Sequence, residues 1–464
     1  MRHDPSNNNL RNLIIGAEQK IPLSDGTDVT AINFDNAATT PVLYSVLKEI
    51  NQFAPWYSSV HRGAGYKSKV SSDIYEQSRD VVQSFVNSDK ERDIVIFTKN
   101  TTESINMLSF VLSQQKSHQK VILSTCMEHA ANDLPWRNKF KVDYVEIDSL
   151  GRLSIEDLEN KLIRYRGNVK LVSVTGASNV TGYLNPIHKI AAIAHKYGAK
   201  ILVDGAQMVP HTSVDMKEFD TLEHIDYLAF SSHKMYAPFG SGVLIGPKRD
   251  FEEGNPFVQG GGAIRLVTPR HVEWDEPAGK DEAGTPNIMG VVALTAAIKT
   301  LQSVGMDNIY KIEKALYDYA ISRMKNIPGI KFYSDPFKED TISVIPFNLE
   351  GVYHHILPLI LSGEAGIAVR NGFFCTHPYC EKLLGLSEED INHYLEEDDA
   401  LFPGMVRASF GFYNNYKEID KFLSILRILA ENKEYYINKY SNDLSLNQIK
   451  NEAGLCTGFS NFGC

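Results

Sequence analysis

The sequence predicts an α/β fold: a large domain built on a mostly parallel sheet covered by helices, followed by a smaller α+β domain. Three observations carry that expectation. Between Ile94 and Gly246 seven short strand-like runs alternate with stretches of helical periodicity. Most of these runs are apolar throughout rather than alternating, as strands buried on both faces are. Several are followed directly by polar or ionisable residues, which places chemistry at the carboxyl edge of the sheet, where open α/β folds bind ligands.

Taken in order, residues 1–30 are polar and read as an arm, extended or with a short helix. A large domain is expected over 31–287, with strands at Ile94–Phe97, Val121–Ser124, Val142–Val145, Leu171–Val174, Ile201–Asp204, Tyr227–Phe230 and Gly242–Ile245. Pro186–Tyr197 has helical periodicity and is closed by Gly198. The stretch 252–287 is loop-rich. From Asn287 to Lys325 a long helical pattern reads as one unbroken connector, 288–325. Residues 326–435 mix strands, at Ile342–Phe347 and Met405–Phe410, with helices, and make the smaller domain, on which the arm 1–30 is a candidate to pack. Within it Ser387–Asp399 is acidic and reads as a solvated loop or helix. The polar segment 436–464 is expected to be a mobile tail. No internal repeat interrupts this order.

Composition narrows the function. The chain has 464 residues, enough for two or three domains, with 43% hydrophobic and 22% charged residues. A net charge of -10 argues against nucleic acid and anionic membrane surfaces as partners. No run approaches the roughly 18 apolar residues of a membrane span. The opening Met1–Asn9 is polar, without an apolar signal region. Cys126, Cys375, Cys380, Cys456 and Cys464 are too sparse for a disulfide framework and too widely spaced for a zinc ribbon, so reduced thiols and no metal site are expected. A cytoplasmic metabolic protein fits these features.

The chemistry centres on Lys234, in Phe230-Ser-Ser-His-Lys-Met-Tyr236, and Asp204, which ends Ile201-Leu-Val-Asp204. A lysine amine and a carboxylate, each at a strand end, suit pyridoxal 5'-phosphate (PLP): the amine takes the aldehyde and the carboxylate holds the pyridine nitrogen protonated. Asn179 and Gln207 are placed to reach the ring oxygen. Ser231 and His233 stand beside Lys234. Thr101 and Thr102 open a helix after a strand, where hydroxyls and free N–H groups cradle phosphate; taken alone, they read as an ordinary N-cap with Glu103. His129 after the Val121 strand is positioned to stack on the pyridine ring, though by itself it reads as a polar loop residue.

Asn33-Phe-Asp-Asn-Ala-Ala-Thr39, Val60-His-Arg-Gly63, Asn100–Asn106, Glu128-His129, Ser178–Val180, Val203–Gln207, Ser231–Lys234 and Ala283-Gly-Thr-Pro286 together resemble class V aminotransferase-fold enzymes, that is, PLP-dependent transferases of fold type I. Within that group they look most like cysteine desulfurases and selenocysteine lyases, over about residues 30–430. The resemblance implies Lys234 as the Schiff-base lysine, Asp204 on the pyridine nitrogen and His129 on the ring face. It implies Asn179 and Gln207 on the ring oxygen, and Thr102, Ser231 and His233 on the phosphate. Thr285 would reach the phosphate of a second subunit, which implies a homodimer.

Two residues choose the reaction. Arg407, in Met405-Val-Arg-Ala-Ser-Phe410, matches the family's clamp for the substrate carboxylate; alone it reads as an ion-pair residue. Val369-Arg-Asn-Gly-Phe-Phe-Cys375 resembles the loop whose cysteine attacks the substrate sulfur and becomes a persulfide, with Arg370 nearby to orient the loop or favour the thiolate. Alone, Cys375 reads as a small residue packed between aromatics. The resemblance departs at Phe373-Phe374, where iron–sulfur-type desulfurases carry two histidines. Cys375–Leu386 and Val406–Phe412 look more like the N-terminal domains of molybdenum-cofactor sulfurases. The implied activity takes sulfur from L-cysteine, gives alanine, and passes the Cys375 persulfide to an acceptor protein or small molecule. Cys456 and Cys464 are either relay thiols for that sulfur or ordinary tail thiols. The alternatives are a C–S lyase, aminotransferase or epimerase of the same fold, or a non-catalytic partner with a degenerate pocket.

Overall fold

The computed structural model describes residues 8–61, 63–337, 340–396 and 402–441. Its centre is a sheet of β1 (Asp93–Thr98), β2 (Val121–Thr125), β3 (Lys141–Val145), β4 (Val169–Thr175), β5 (Lys200–Asp204), β6 (Tyr227–Ser231) and β7 (Gly242–Pro247), in spatial order β1-β7-β6-β5-β4-β2-β3. The neighbours from β3 through β6 are parallel, and β7 runs against both of its neighbours. All seven expected strands are present. β7 reverses because its connection from β6, residues 232–241, is too short for the crossover a parallel neighbour needs.

Alternate side chains of each strand enter different cores. Val95, Phe97 and Leu123 face one, which also holds the helix Ile288–Val304; Ile96 and Ile122 face the other, with Leu108 and Trp136. β2, β4, β6 and β7 are buried along their whole length, which is why these runs are apolar or small at nearly every position.

The smaller sheet has β8 (Ile330–Phe332), β9 (Val344–Leu349), β10 (Arg370–Gly372) and β11 (Met405–Ser409), antiparallel in order β8-β9-β11-β10. Residues 32–34 pack beside it. Ile32-Asn33 pairs in parallel with Ile367-Ala368, and the Phe34 ring meets Phe410 at 4.8 Å and Phe422 at 5.6 Å inside this core.

The connector expected over 288–325 is not one helix. It is two, Ile288–Val304 and Met306–Met324, bent by 75° at Gly305. Gly305 has φ 88°, a conformation side chains with a Cβ avoid. Ile288–Leu301 pack on the large core and Ile312–Met324 on the small one. The loop-rich stretch contains a hairpin, Ile264–Thr268 with His271–Trp274. Of the acidic stretch, Glu388–Glu396 is helical and 397–399 lie outside the described residues, as do Cys456, Cys464 and everything from 442 onward. Among the described residues no single helix is long and apolar enough to cross a membrane.

Candidate functional site

β4, β5 and β6, with the loop after β2, end on one cavity of about 250 Å³. Every sequence-predicted site residue lines it except Thr285, which is exposed in the loop before the helix Ile288–Val304.

Lys234 closes the single turn Ser232–Lys234 that follows β6. That turn is pinned from the amino-terminal motif: the His233 carbonyl accepts from the Thr40 N–H and from the hydroxyls of Thr39 and Thr40, each at 3.1 Å. Burial pulls the Lys234 amine down to about 8, against the pull of Asp204, with Arg407 adding to the depression. Burial pushes the Asp204 carboxyl up; one of its oxygens accepts from the Ala206 N–H at 3.0 Å. His129 Nδ1 accepts from the Ala131 N–H at 3.0 Å, so that nitrogen carries no proton. Burial, then Lys234 and Arg407, depress this ring to about 4, and burial and Lys234 do the same to His233. Both imidazoles are therefore neutral near pH 7.

The helix Thr101–Gln114 starts at the cavity wall. Neither threonine caps it: Asn100 does, accepting from the Glu103 N–H at 2.9 Å, while the Glu103 carboxylate accepts from the Lys99 N–H at 2.6 Å. With the cap supplied by Asn100, the Thr101 N–H donates to Ser231 Oγ at 2.7 Å and the two hydroxyls lie 2.6 Å apart. This gathers two hydroxyls and a helix N-terminus, the donor set an anion requires. Gln207 donates to the Ala37 carbonyl at 2.6 Å, and its Oε1 is buried without a partner.

The opposite wall comes from the smaller domain. Cys375 is exposed at the cavity mouth, and it and Phe374 have left-handed φ values of 59° and 52°, a strained pair for residues with a Cβ. The turn is held from the large domain. The Asn179 amide donates to the Phe374 carbonyl at 2.8 Å, Thr376 Oγ1 donates to Asn179 Oδ1 at 2.9 Å, and the Ala130 N–H donates to the Cys375 carbonyl at 2.8 Å. Asn179, expected on a ring oxygen, anchors the cysteine loop through its side-chain amide. Arg407 is buried; it donates to the Asn179 carbonyl at 2.9 Å and to Asp35 at 3.0 Å, and its Nε has no partner. Its guanidinium lies 4.8 Å over the Phe374 ring. Phe373 turns the other way and stacks on His377 at 4.7 Å. Arg370 lines the cavity and is exposed.

Sequence reasoning missed three participants. Asp35 lies inside Asn33–Thr39 with no chemistry of its own in the sequence, Phe374 marks only a departure from the family pattern, and Thr376 carries no signal. An aspartate two residues after a strand-like Ile-Asn is unremarkable until the fold brings it to Arg407.

The class V aminotransferase family model matches residues 32–422. The cysteine desulfurase of Haloferax volcanii is 35% identical over 426 residues, spanning 90% of this chain and 94% of that protein. A probable cysteine desulfurase of Halalkalibacterium halodurans is 33% identical over 412 residues, 87% and 94% of the two chains. Among solved structures, the apo cysteine desulfurase from Thermococcus onnurineus superposes with a TM-score of 0.77 at 31% identity, covering 87% of this chain and 95% of that one. CsdA from Escherichia coli, a cysteine desulfurase in its S-sulfonic acid form, superposes with a TM-score of 0.75 at 26% identity, covering 93% and 99%.

Proposed function

Since this chain belongs to the class V aminotransferase family, we propose that it is a PLP-dependent cysteine desulfurase that takes sulfur from L-cysteine, releases alanine and carries the sulfur as a persulfide on Cys375. The observation that carries this reading is the sharing of one cavity by Lys234, Asp204, Arg407 and the exposed Cys375.

The cavity residues fit the cofactor. The buried, partnerless Gln207 Oε1 calls for a bound group, the Thr101/Ser231 donors suit a phosphate, and Asp204 in the interior calls for a cationic partner such as a protonated ring nitrogen. Thr101, Thr102, Ser231 and His233 would hold the phosphate, Asp204 the ring nitrogen, His129 the ring face, and Asn179 and Gln207 the ring oxygen. When bound, PLP supplies an electron sink that acidifies the α-carbon of an amino acid.

The remaining work belongs to the chain. Lys234, with an amine depressed to about 8, anchors the cofactor and then moves the substrate's α-proton as a base near its working pH. Arg407 holds the substrate carboxylate, exchanging Asp35 for it, and Arg370 stands at the mouth beside the loop. The Cys375 thiolate attacks the sulfur of L-cysteine; the new S–S bond forms as the Cβ–S bond breaks, and the Cβ carbanion equivalent takes a proton to become alanine. His129, neutral against the cavity, is the group beside that proton's path. Transfer of the terminal sulfur to an acceptor protein or small molecule then restores the thiol.

The same reading includes a homodimer and a cytoplasmic setting. Thr285, exposed and outside its own cavity, is free to complete that of a partner. The free thiols Cys126, Cys375 and Cys380 suit a reducing compartment. The deciding experiment is incubation of the holoenzyme with L-cysteine. Alanine and a one-sulfur mass gain on Cys375 are expected; Lys234→Ala loses both, and Cys375→Ala keeps the cofactor spectrum but forms neither product. Pyruvate and ammonia in place of alanine would instead establish a β-eliminating lyase.

A further inference from the structure

Three contacts fix the Arg407 guanidinium, and together they leave part of one edge open. Nη1 donates to the Asn179 carbonyl at 2.9 Å. The guanidinium carbon lies over the Phe374 ring, 4.8 Å from its centroid. Nη2 donates to Asp35 at 3.0 Å, while Nε, its neighbour on the same edge, is buried with no partner. Nε and Nη2 are a pair that grips a carboxylate through two parallel hydrogen bonds. The unfilled position at Nε is therefore where a substrate carboxylate gains what Asp35 does not supply.

The other two contacts lead into the cysteine turn. Phe374 is held twice, its ring by Arg407 and its carbonyl by the Asn179 side-chain amide at 2.8 Å. Asn179 Oδ1 also accepts from Thr376 Oγ1 at 2.9 Å, so Asn179 grips both sides of Cys375 while its own backbone carbonyl carries Arg407. The Phe374 ring is a fixed wall: it packs with Met127, Val180, Tyr379 and Met405 and is 8% exposed. An aromatic face beneath a buried cation sets the plane of that cation, through an attraction that strengthens where water is excluded. The turn needs this support, because Phe374 and Cys375 both sit at left-handed φ and relax elsewhere if released.

We propose that Phe374 is a positioning residue that makes the binding of a substrate carboxylate at Arg407 and the placement of the Cys375 thiol one event. A ligand shifts a conformational equilibrium only by what it contacts differently in the two states. Here the difference is the hydrogen bond at Nε. The substrate's amine is fixed at the Lys234 side of the cavity, so its carboxylate reaches Nε and Nη2 together only while the guanidinium keeps its plane on Phe374. That plane in turn requires the turn to be in place. An amine without a carboxylate leaves Arg407 on Asp35 and adds nothing to the turn. The thiol is thus presented to α-amino acids and not to simple amines. The coupling rests on the desulfurase reading for its substrate, yet it is readable without sulfur chemistry.

The test is hydrogen exchange of the holoenzyme with L-alanine, which has the amine and carboxylate of the substrate but no sulfur, at a concentration that saturates the change in the cofactor spectrum. The Thr376 N–H donates to the Phe373 carbonyl at 2.9 Å and reports closure of the turn. Its exchange is expected to slow about fivefold with L-alanine and to stay unchanged with ethylamine. In Phe374→Leu the slowing by L-alanine disappears, and KM for L-cysteine rises about 3- to 30-fold with a fall in kcat. Should Phe374→Leu not fold, the wild type decides: equal Thr376 exchange with L-alanine and ethylamine overturns the coupling. Equal slowing in Phe374→Leu and the wild type, or an unchanged KM, overturns it too and leaves Phe374 as packing of the cavity wall. A wild type that yields neither alanine nor persulfide from L-cysteine fails the desulfurase reading instead, and Thr376 exchange then still decides the coupling.

Discussion

The side-chain amide of Asn179 donates to the backbone carbonyl of Phe374 at 2.8 Å, one residue before Cys375. A large-domain loop thereby holds the small-domain thiol at the cavity, in a turn whose two left-handed residues oppose the geometry. Removing the amide deletes two hydrogen bonds worth about 1 kcal/mol each. Asn179→Ala is expected to lower kcat about tenfold and to increase hydrogen exchange over 373–376. Unchanged exchange there would show that the turn holds itself.

Arg407→Lys keeps the charge and loses the planar fork. Two charge-assisted hydrogen bonds cannot both be remade by one ammonium. KM for L-cysteine is expected to rise about 10- to 100-fold with a smaller change in kcat, since a hydrogen bond to a charged group is worth about 1.5–3 kcal/mol. Steady-state kinetics read the split; a fall in kcat at constant KM would remove Arg407 from the carboxylate.

Gly242 begins β7 with no room for a side chain. A Cβ there would stand 2.6 Å from both Cα and C of Asn100, the residue that caps the helix at the Thr101/Ser231 cradle. Backbone cannot yield as a flexible side chain does, so Gly242→Ala should cost about 1–3 kcal/mol and displace the cradle. Lower thermal stability together with weaker PLP affinity is expected; a stability loss with intact affinity would separate the cradle from the cap.

His129 and His233 both lie below their ordinary 6.5, at about 4. Between those values the unfolded chain binds more protons than the folded one. Their contribution to stability is therefore complete above about pH 6.5 and is lost as pH falls toward 4. Urea midpoints of the cofactor-free protein should drop across that window. His129→Phe should flatten the drop, and an unaltered slope would mean that His129 is already charged in the folded state.

The sheet was legible because burial on both faces writes an apolar run that needs no partner to recognise, and Asp204, Ser231 and Lys234 mark strand ends directly. Gly305 was also visible, yet both flanking segments keep helical periodicity, so the pattern ran through a bend that only the two separate cores explain. The cavity's far wall was legible through Arg407 and Cys375, but its internal contacts were not. Asp35 meets Arg407 across 372 positions of sequence, and Asn179 meets Thr376 across 197; no local period records such pairs.

The break at Gly305 turns the chain between the two cores, which are linked a second time where Phe34 lies in the small core and Ala37 in the large one. Ile288–Val304 packs in the large core, which also takes Met306 and Ile309, and Ile312–Met324 packs in the small core with the sheet that carries Arg407. A change in the bend at Gly305 would reorient the helix of one core relative to that of the other. The approach of sulfur to the reacting centre is then adjustable by a residue that touches neither substrate nor cofactor. Selection on catalytic reach can act there without rebuilding either core.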